Sequence, residues 1–271
     1  MKRKIWWTDF TAGDFNSIDA TKTIAILPIA AVEQHGPHLP VGTDTIINTA
    51  MMELLAERAP AELDIRILPV QAIGKSNEHI WAKGTITHTA TNLIDAWTQI
   101  GLEVARAGVR KLVFVNSHGG NEEVMGIVAR ELRVRAEMLA VKSGWRFTPP
   151  DVLTDLERRH GIHGGDAETS LILHFTPHLV DMARAENFSS IAARDEQHFK
   201  YLRPTGAFGH VYAWIASDIN PSGAVGDAAS ATAEKGRIIA EANVAGMLEV
   251  LEEVQRMPLP APATGGSAPR R

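Results

Sequence analysis

Four side chains able to bind a metal crowd one short stretch, "VEQHGPHLPVGTD" (32–44): Glu33, His35, His38 and Asp44. The apolar run before it, "TIAILPI" (23–29), reads as a buried strand, so these groups leave a strand end. Two prolines stiffen the loop that follows. If Glu33 and His35 continue the extended chain, their spacing points both side chains the same way. A second stretch, "VFVNSHGGNEE" (113–123), puts His118 two residues beyond another strand. Gly119 and Gly120 let the backbone come close there. A third, "HGIHGGDAETS" (160–170), carries His160, His163, Asp166 and Glu168.

Imidazoles mixed with carboxylates suit Zn²⁺, Mn²⁺ or Fe²⁺, whereas an all-oxygen set suits Mg²⁺ or Ca²⁺. One Asp can bridge two ions through its two oxygens, as in two-metal hydrolytic sites. The residues supply such a set: Glu33, Asp44 and His118 for one ion, His35, Asp44 and Glu168 for the other. Other readings stay open. "GGN" after a strand can cradle a phosphate, although the Lys of a P-loop is missing. Asp44 or Thr43 can serve only as a helix cap. His163 can be a proton donor to a leaving group, or a structural histidine bonded to a backbone carbonyl.

The elements that must position these groups alternate along the chain. Strand patterns at 23–29, 64–72, 110–116 and 137–143 are separated by helical periodicity at 45–59, 92–108 and 122–136. Gly108 stops the second helix. Strands separated by helices imply crossover connections: an α/β fold of three layers, α/β/α, with a largely parallel central sheet. Functional groups in such sheets collect at the carboxyl edge, where all three stretches lie or can reach. A short buried helix is expected at 167–175 and a long amphipathic one at 228–257. Residues 144–225 give weak signals. One domain is expected over 1–257, with 258–271 an unpacked Pro/Ala/Gly-rich tail.

Bulk composition removes several classes. The chain has 271 residues, a net charge of −5 and no cysteine. Disulfides, thiolate catalysis and cysteine-based zinc sites are excluded. Nothing basic invites nucleic acid or an anionic membrane. No apolar run approaches a bilayer span and no signal peptide is legible, so a cytoplasmic address is expected.

At the residues quoted, the chain resembles the creatininase (creatinine amidohydrolase) family. The matching words are "LPIAAVEQHGPHLPVGTD" (27–44), "VFVNSHGGN" (113–121) and "HGGDAETS" (163–170), with a weaker "GKSNEH" (74–79). The resemblance implies the three-layer fold, two divalent ions per chain (zinc or manganese, with iron an option), hydrolysis of an amide-like bond in a small molecule, and a homo-oligomer, often a hexamer. Carried over by motif, Glu33, His35, Asp44 and His118 are ligands. Creatinine-opening members of that family have a glutamate ligand at the position of Gly120, so Glu168 is assigned to the second ion here. They also rely on a tryptophan shortly before the "HGG" histidine, where 150–162 has none and Trp145 is nearest. Their Pro-Gly-Thr after "EH" is "AKGT" here, with Lys83. Gly119, Gly120, Asn77, Glu78, His79 and Lys83 are assigned to substrate, and His163 to proton transfer. Relatives of this kind also deformylate, trim a peptide-derived cofactor or open an oxidised inositol ring. A metal-retaining binding protein is the non-catalytic alternative.

Overall fold

The computed structural model describes residues 3–205 and 210–262. Its centre is a four-stranded parallel sheet of β1 (Ile24–Ile29), β2 (Ile65–Ile67), β3 (Lys111–Asn116) and β4 (Leu139–Gly144), in the order β2-β1-β3-β4. β1 and β3 run in register from Ile24 beside Lys111 to Ile29 beside Asn116, so both end at one level. Their residues are buried throughout, as strands covered on both faces must be.

Alternation along the strands feeds two cores. Ile24, Ile26, Val113 and Val115 face α1 (Thr43–Arg58), α5 (Asp166–Phe175) and α8 (Ala233–Arg256). Ala25, Leu27, Ile29, Leu112 and Phe114 face α2 (Ala90–Arg106) and α3 (Glu122–Ala136). This is the expected sandwich of helices about a parallel sheet. Gly108, at φ +95°, turns the chain out of α2 where an L side chain would be strained. Neither Thr43 nor Asp44 caps α1: the N-cap is Gly42, and both side chains lie inside the first turn. That correction frees the Asp44 carboxylate for other partners.

Apart from α5, the described residues of the weakly patterned region and its edge form short pieces. They are α4 (Asp155–His160), β5 (Asn187–Phe188), α6 (Ile191–Asp195), β6 (Leu202–Arg203), β7 (His210–Val211), α7 (Ala216–Ile219) and β8 (Gly226–Asp227). β5 pairs antiparallel with β8, and β6 pairs parallel with β7. The expected tail at 258–271 falls mostly on 263–271, outside the described residues. Within the described part, the Ala261 carbonyl accepts a bond from Arg133 at 2.8 Å. Among the described residues no helix is long and apolar enough to cross a membrane.

One buried charge ties the sheet to the last helix. Lys111 is inaccessible to solvent, and its Nζ donates to the carbonyls of Val254, Gln255 and Met257 at 2.8, 2.8 and 2.7 Å. It thereby satisfies the orphan carbonyls at the end of α8. Lys111→Met, which keeps the stem and removes the donors, should lower unfolding free energy by about 2–4 kcal/mol in denaturant titration.

Candidate metal centre

β1 leaves the sheet toward one neighbour, β2, and β3 lies on its other side. The gap beyond the ends of β1 and β3 is therefore the switch point of the sheet, where ligands of open α/β sheets bind. Glu33 and His35 follow β1, Asp44 stands in the first turn of α1, and His118 follows β3. All four are buried, with Glu33 fully inaccessible. The β1–α1 loop is drawn back on itself by the bond from Glu33 N to the Val41 carbonyl at 2.8 Å. Ser117 closes the other side, donating from N to the Ile29 carbonyl and from Oγ to the Asp44 carbonyl, each at 3.0 Å.

The imidazoles are held in defined tautomers. His35 Nδ1 lies 3.0 Å from the Glu33 carbonyl, to which it must donate. In the neutral ring its Nε2 is then bare, and it faces Asp44 Oδ1 and Glu168 Oε2, each at 3.7 Å. His118 Nε2 donates to the Lys75 carbonyl at 2.9 Å. Its bare Nδ1 faces Glu33 Oε1 at 3.1 Å and Asp44 Oδ2 at 3.6 Å. Asp44 therefore turns one oxygen to each histidine, the geometry a bridging carboxylate needs. Glu33 Oε1, His35 Nε2 and Asp44 Oδ2 are buried without any hydrogen-bond partner. Orphaned acceptors packed against one another are costly unless a positive charge sits among them. The donor set and its orphaned atoms fit divalent ions. His35, Asp44 and Glu168 form one group able to hold an ion, and Glu33, Glu78 and His118 another.

The protonation balance agrees. Burial alone would depress the His35 imidazole, but Asp44, Glu168 and Glu33 push it up to about 10. His118 is likewise raised well above its ordinary value, against burial, by Glu33, Glu78 and Asp44. Burial would raise Glu33, yet His118, His163 and His35 hold it well below the carboxylate range. Glu168 goes the other way, lifted by burial to about 7. Without metal, protons occupy the place a cation would take.

His163 is assembled differently. Its Nε2 donates to the Gln34 carbonyl at 2.6 Å, and its Nδ1 faces Glu33 Oε1 at 3.5 Å. Burial and the neighbouring His35 depress it well below 6.5, so Nδ1 is unprotonated at neutral pH. His163 stacks between His35 and His79, with ring centroids 4.1 and 4.3 Å away. The Gln34 amide Nε2 donates to His79 Nδ1 at 2.7 Å, which puts the His79 proton on Nε2, 3.4 Å from Glu33 Oε1 without a hydrogen bond to it.

The other expected site residues sort by place. Asn77, Glu78, His79, Gly119 and Gly120 line a cavity of about 1250 Å³ that opens beside His118 and His163. Lys83 is exposed and does not line this cavity. His38 turns away, with Nε2 2.9 Å from Thr169 Oγ1. His160 pairs with Glu196 at 3.4 Å, and Asp166 with Lys235 at 2.5 Å, so neither reaches the centre. Sequence reasoning missed Gln34, Ser76 and Asn121. Ser76 Oγ donates to Glu33 Oε2, and Asn121 Oδ1 accepts from Lys75 N at 2.8 Å, docking the 74–79 loop on the sheet. Only Gln34 carried a signal, lying between two expected ligands.

A family profile described as creatinine amidohydrolase (Creatininase) matches residues 8–251. The chain belongs to the creatininase family. It is 32% identical over 231 residues to a mycofactocin precursor peptide peptidase of Mycobacterium ulcerans, covering 83% of this chain and 82% of that one. It is 28% identical over 274 residues to the creatinine amidohydrolase of Pseudomonas putida, covering 93% and 98%. Among solved structures, a tryptophan-to-alanine creatininase mutant superposes with a TM-score of 0.74 at 25% identity, covering 94% of this chain and 100% of that one. A creatininase mutant of Zn-Zn type gives 0.72 at 25% identity with the same coverage. Family members are hydrolases, and this chain is a creatininase-family hydrolase.

Two outcomes test the site. Asp44→Asn should lose both ions in elemental analysis and Glu168→Gln one, whereas Glu122→Gln should keep both, because Glu122 is already paired with Lys142 and Arg146 at 3.2 and 2.6 Å. Full occupancy in Asp44→Asn would remove the bridge. Metal loading at pH 7 should also release protons, since His35, at about 10, is protonated in the metal-free protein. Titration calorimetry in buffers of different ionisation enthalpy reads that release, and affinity should fall as pH falls.

Proposed function

We propose that the chain is a two-metal hydrolase that cleaves an amide bond in a peptide. The carrying observation is the pair of oriented histidines, His35 and His118. Each is fixed by a backbone carbonyl so that its other nitrogen meets carboxylate oxygens; Glu33 Oε1 and Asp44 Oδ2 have no hydrogen-bond donor, and Glu168 Oε2 accepts from Gly164 N. Glu33, Asp44 and His118 would hold one ion and His35, Asp44 and Glu168 the other. Bound divalent ions supply a water acidic enough to ionise near neutrality and polarise a carbonyl. The solved Zn-Zn creatininase supports zinc as an occupant.

The chain's own groups do the rest. His163 Nδ1, kept unprotonated by burial, accepts a proton from the attacking water and then passes it to the leaving nitrogen. The Gln34 carbonyl fixes the tautomer that makes Nδ1 the working atom. Backbone amides at Gly119 and Gly120, which line the cavity beside His118, would stabilise the developing oxyanion.

A peptide is favoured over creatinine on two grounds. The cavity beside His118, about 1250 Å³, exceeds the usual range for a drug-sized ligand. The 32% identical relative is named for peptide cleavage. A small polar amide remains the rival substrate, and a panel of short peptides, creatinine, formamides and cyclic ketones decides. Peptide hydrolysis that stops on metal removal supports the proposal; turnover of creatinine or a cyclic ketone without peptide cleavage overturns it. His163→Ala should keep both ions and lower kcat by roughly 10²–10⁴, with a smaller change in KM. Near-normal kcat in the fully metallated variant would exclude His163 from proton transfer.

A further inference from the structure

The 74–79 loop, expected from sequence to face substrate, also stands behind His118. The Nε2–H that donates to the Lys75 carbonyl at 2.9 Å has two more neighbours: Ser76 Oγ at 3.2 Å and Glu78 Oε1 at 3.4 Å. Glu78 sits in a short turn, Asn77–His79, with its side chain largely covered. Its position depends on the residue opposite. A Cβ at Gly120 would lie 2.3 Å from Glu78 Oε1, 2.3 Å from the Lys75 carbonyl and 2.6 Å from His118 Nε2. Any side chain at 120 would therefore separate the carboxylate and the carbonyl from the ring. Glycine there is what lets both approach it.

We infer that Glu78 is a positioning residue for the metal centre: with the Lys75 carbonyl it holds the Nε2 edge of His118, so that Nδ1 faces Glu33 and Asp44. The inference rests on the two-metal reading of the site. Its physical basis is that a carboxylate behind a ligating imidazole fixes the ring, sets its tautomer and raises the basicity of the opposite nitrogen. Glu78 also lines the large cavity and lies in a group with Glu33 and His118 able to hold an ion, so substrate contact and direct ligation are the competing assignments; ligation would make Glu78→Gln lose that ion outright and would overturn the positioning role.

These assignments separate by measuring metal affinity and kinetics on the same protein. In Glu78→Gln, Zn²⁺ affinity by chelator competition should fall by about 10–100-fold for one ion and stay unchanged for the other, the usual cost of losing such a partner. The absorption spectrum of the Co²⁺-loaded protein should shift, and KM should change little. Gly120→Ala provides a second variant: its methyl displaces the Glu78 carboxylate and the Lys75 carbonyl from the His118 ring edge and should weaken the same ion. Wild-type affinity for both ions in Glu78→Gln, with the defect confined to KM, overturns the inference and returns Glu78 to substrate. A wild-type protein that holds no ion overturns the two-metal reading and this inference together.

Discussion

Acceptor atoms do not pack against acceptor atoms in a protein interior unless something positive lies between them. Here Glu33 Oε1, Asp44 Oδ2 and, in the neutral ring, His35 Nε2 do so, all buried and all without a hydrogen-bond partner, and a proton on His35 takes the place of a cation when no metal is bound. Leaving one such group unsatisfied costs about 1–3 kcal/mol, and more when it is charged. The fold must hold this cluster against its own repulsion. The in-register ends of β1 and β3 place both arms at one level, and the first turn of α1 drops Asp44 between them. The long helices that bury the sheet supply the apolar area that makes the strain tolerable.

Around Glu33 the same burial produces opposite results in different imidazoles. His35 and His118 face carboxylates through bare nitrogens and are driven toward the protonated form. His163 and His79 lie beside those cationic rings and are depressed by burial. Groups whose environments push their affinities for protons apart are suited to different tasks. The first pair suits cation binding, because a metal replaces the proton they would otherwise hold. His163 suits proton transfer, because it stays neutral while close to a strong field.

Much of this was legible in the residues. The period-two spacing of Glu33 and His35, the place of His118 after a β-branched strand and the alternation of strands and helices all reappear in the fold. The boundaries of α3, Glu122–Ala136, match the periodicity residue for residue. The helix-cap reading of Asp44 did not survive, because Gly42 takes the cap position and the carboxylate turns inward. His38 looked equivalent to His35 in the motif, but Gly36, at φ +71°, redirects the loop and leaves His38 against Thr169. Residues 144–225 were opaque because their strands are two residues long, too short for any period to show.

What could not be read was the set of partners that decide which nitrogen carries a proton. His35 is fixed by a carbonyl two residues away, but His118 is fixed by Lys75, 43 residues earlier, and His163 by Gln34, 129 residues earlier. Such pairings exist only after the sheet has formed, so no local pattern encodes them. Gly120 makes the same point from the other side. In the sequence it reads as a missing ligand. In the fold it is the space through which the Lys75 carbonyl and the Glu78 carboxylate reach the back of His118. A glycine that removes one possible ligand thus allows another carboxylate to act on the same histidine from behind. Exchanging the glycine for a ligand would therefore mean rebuilding the 74–79 loop as well.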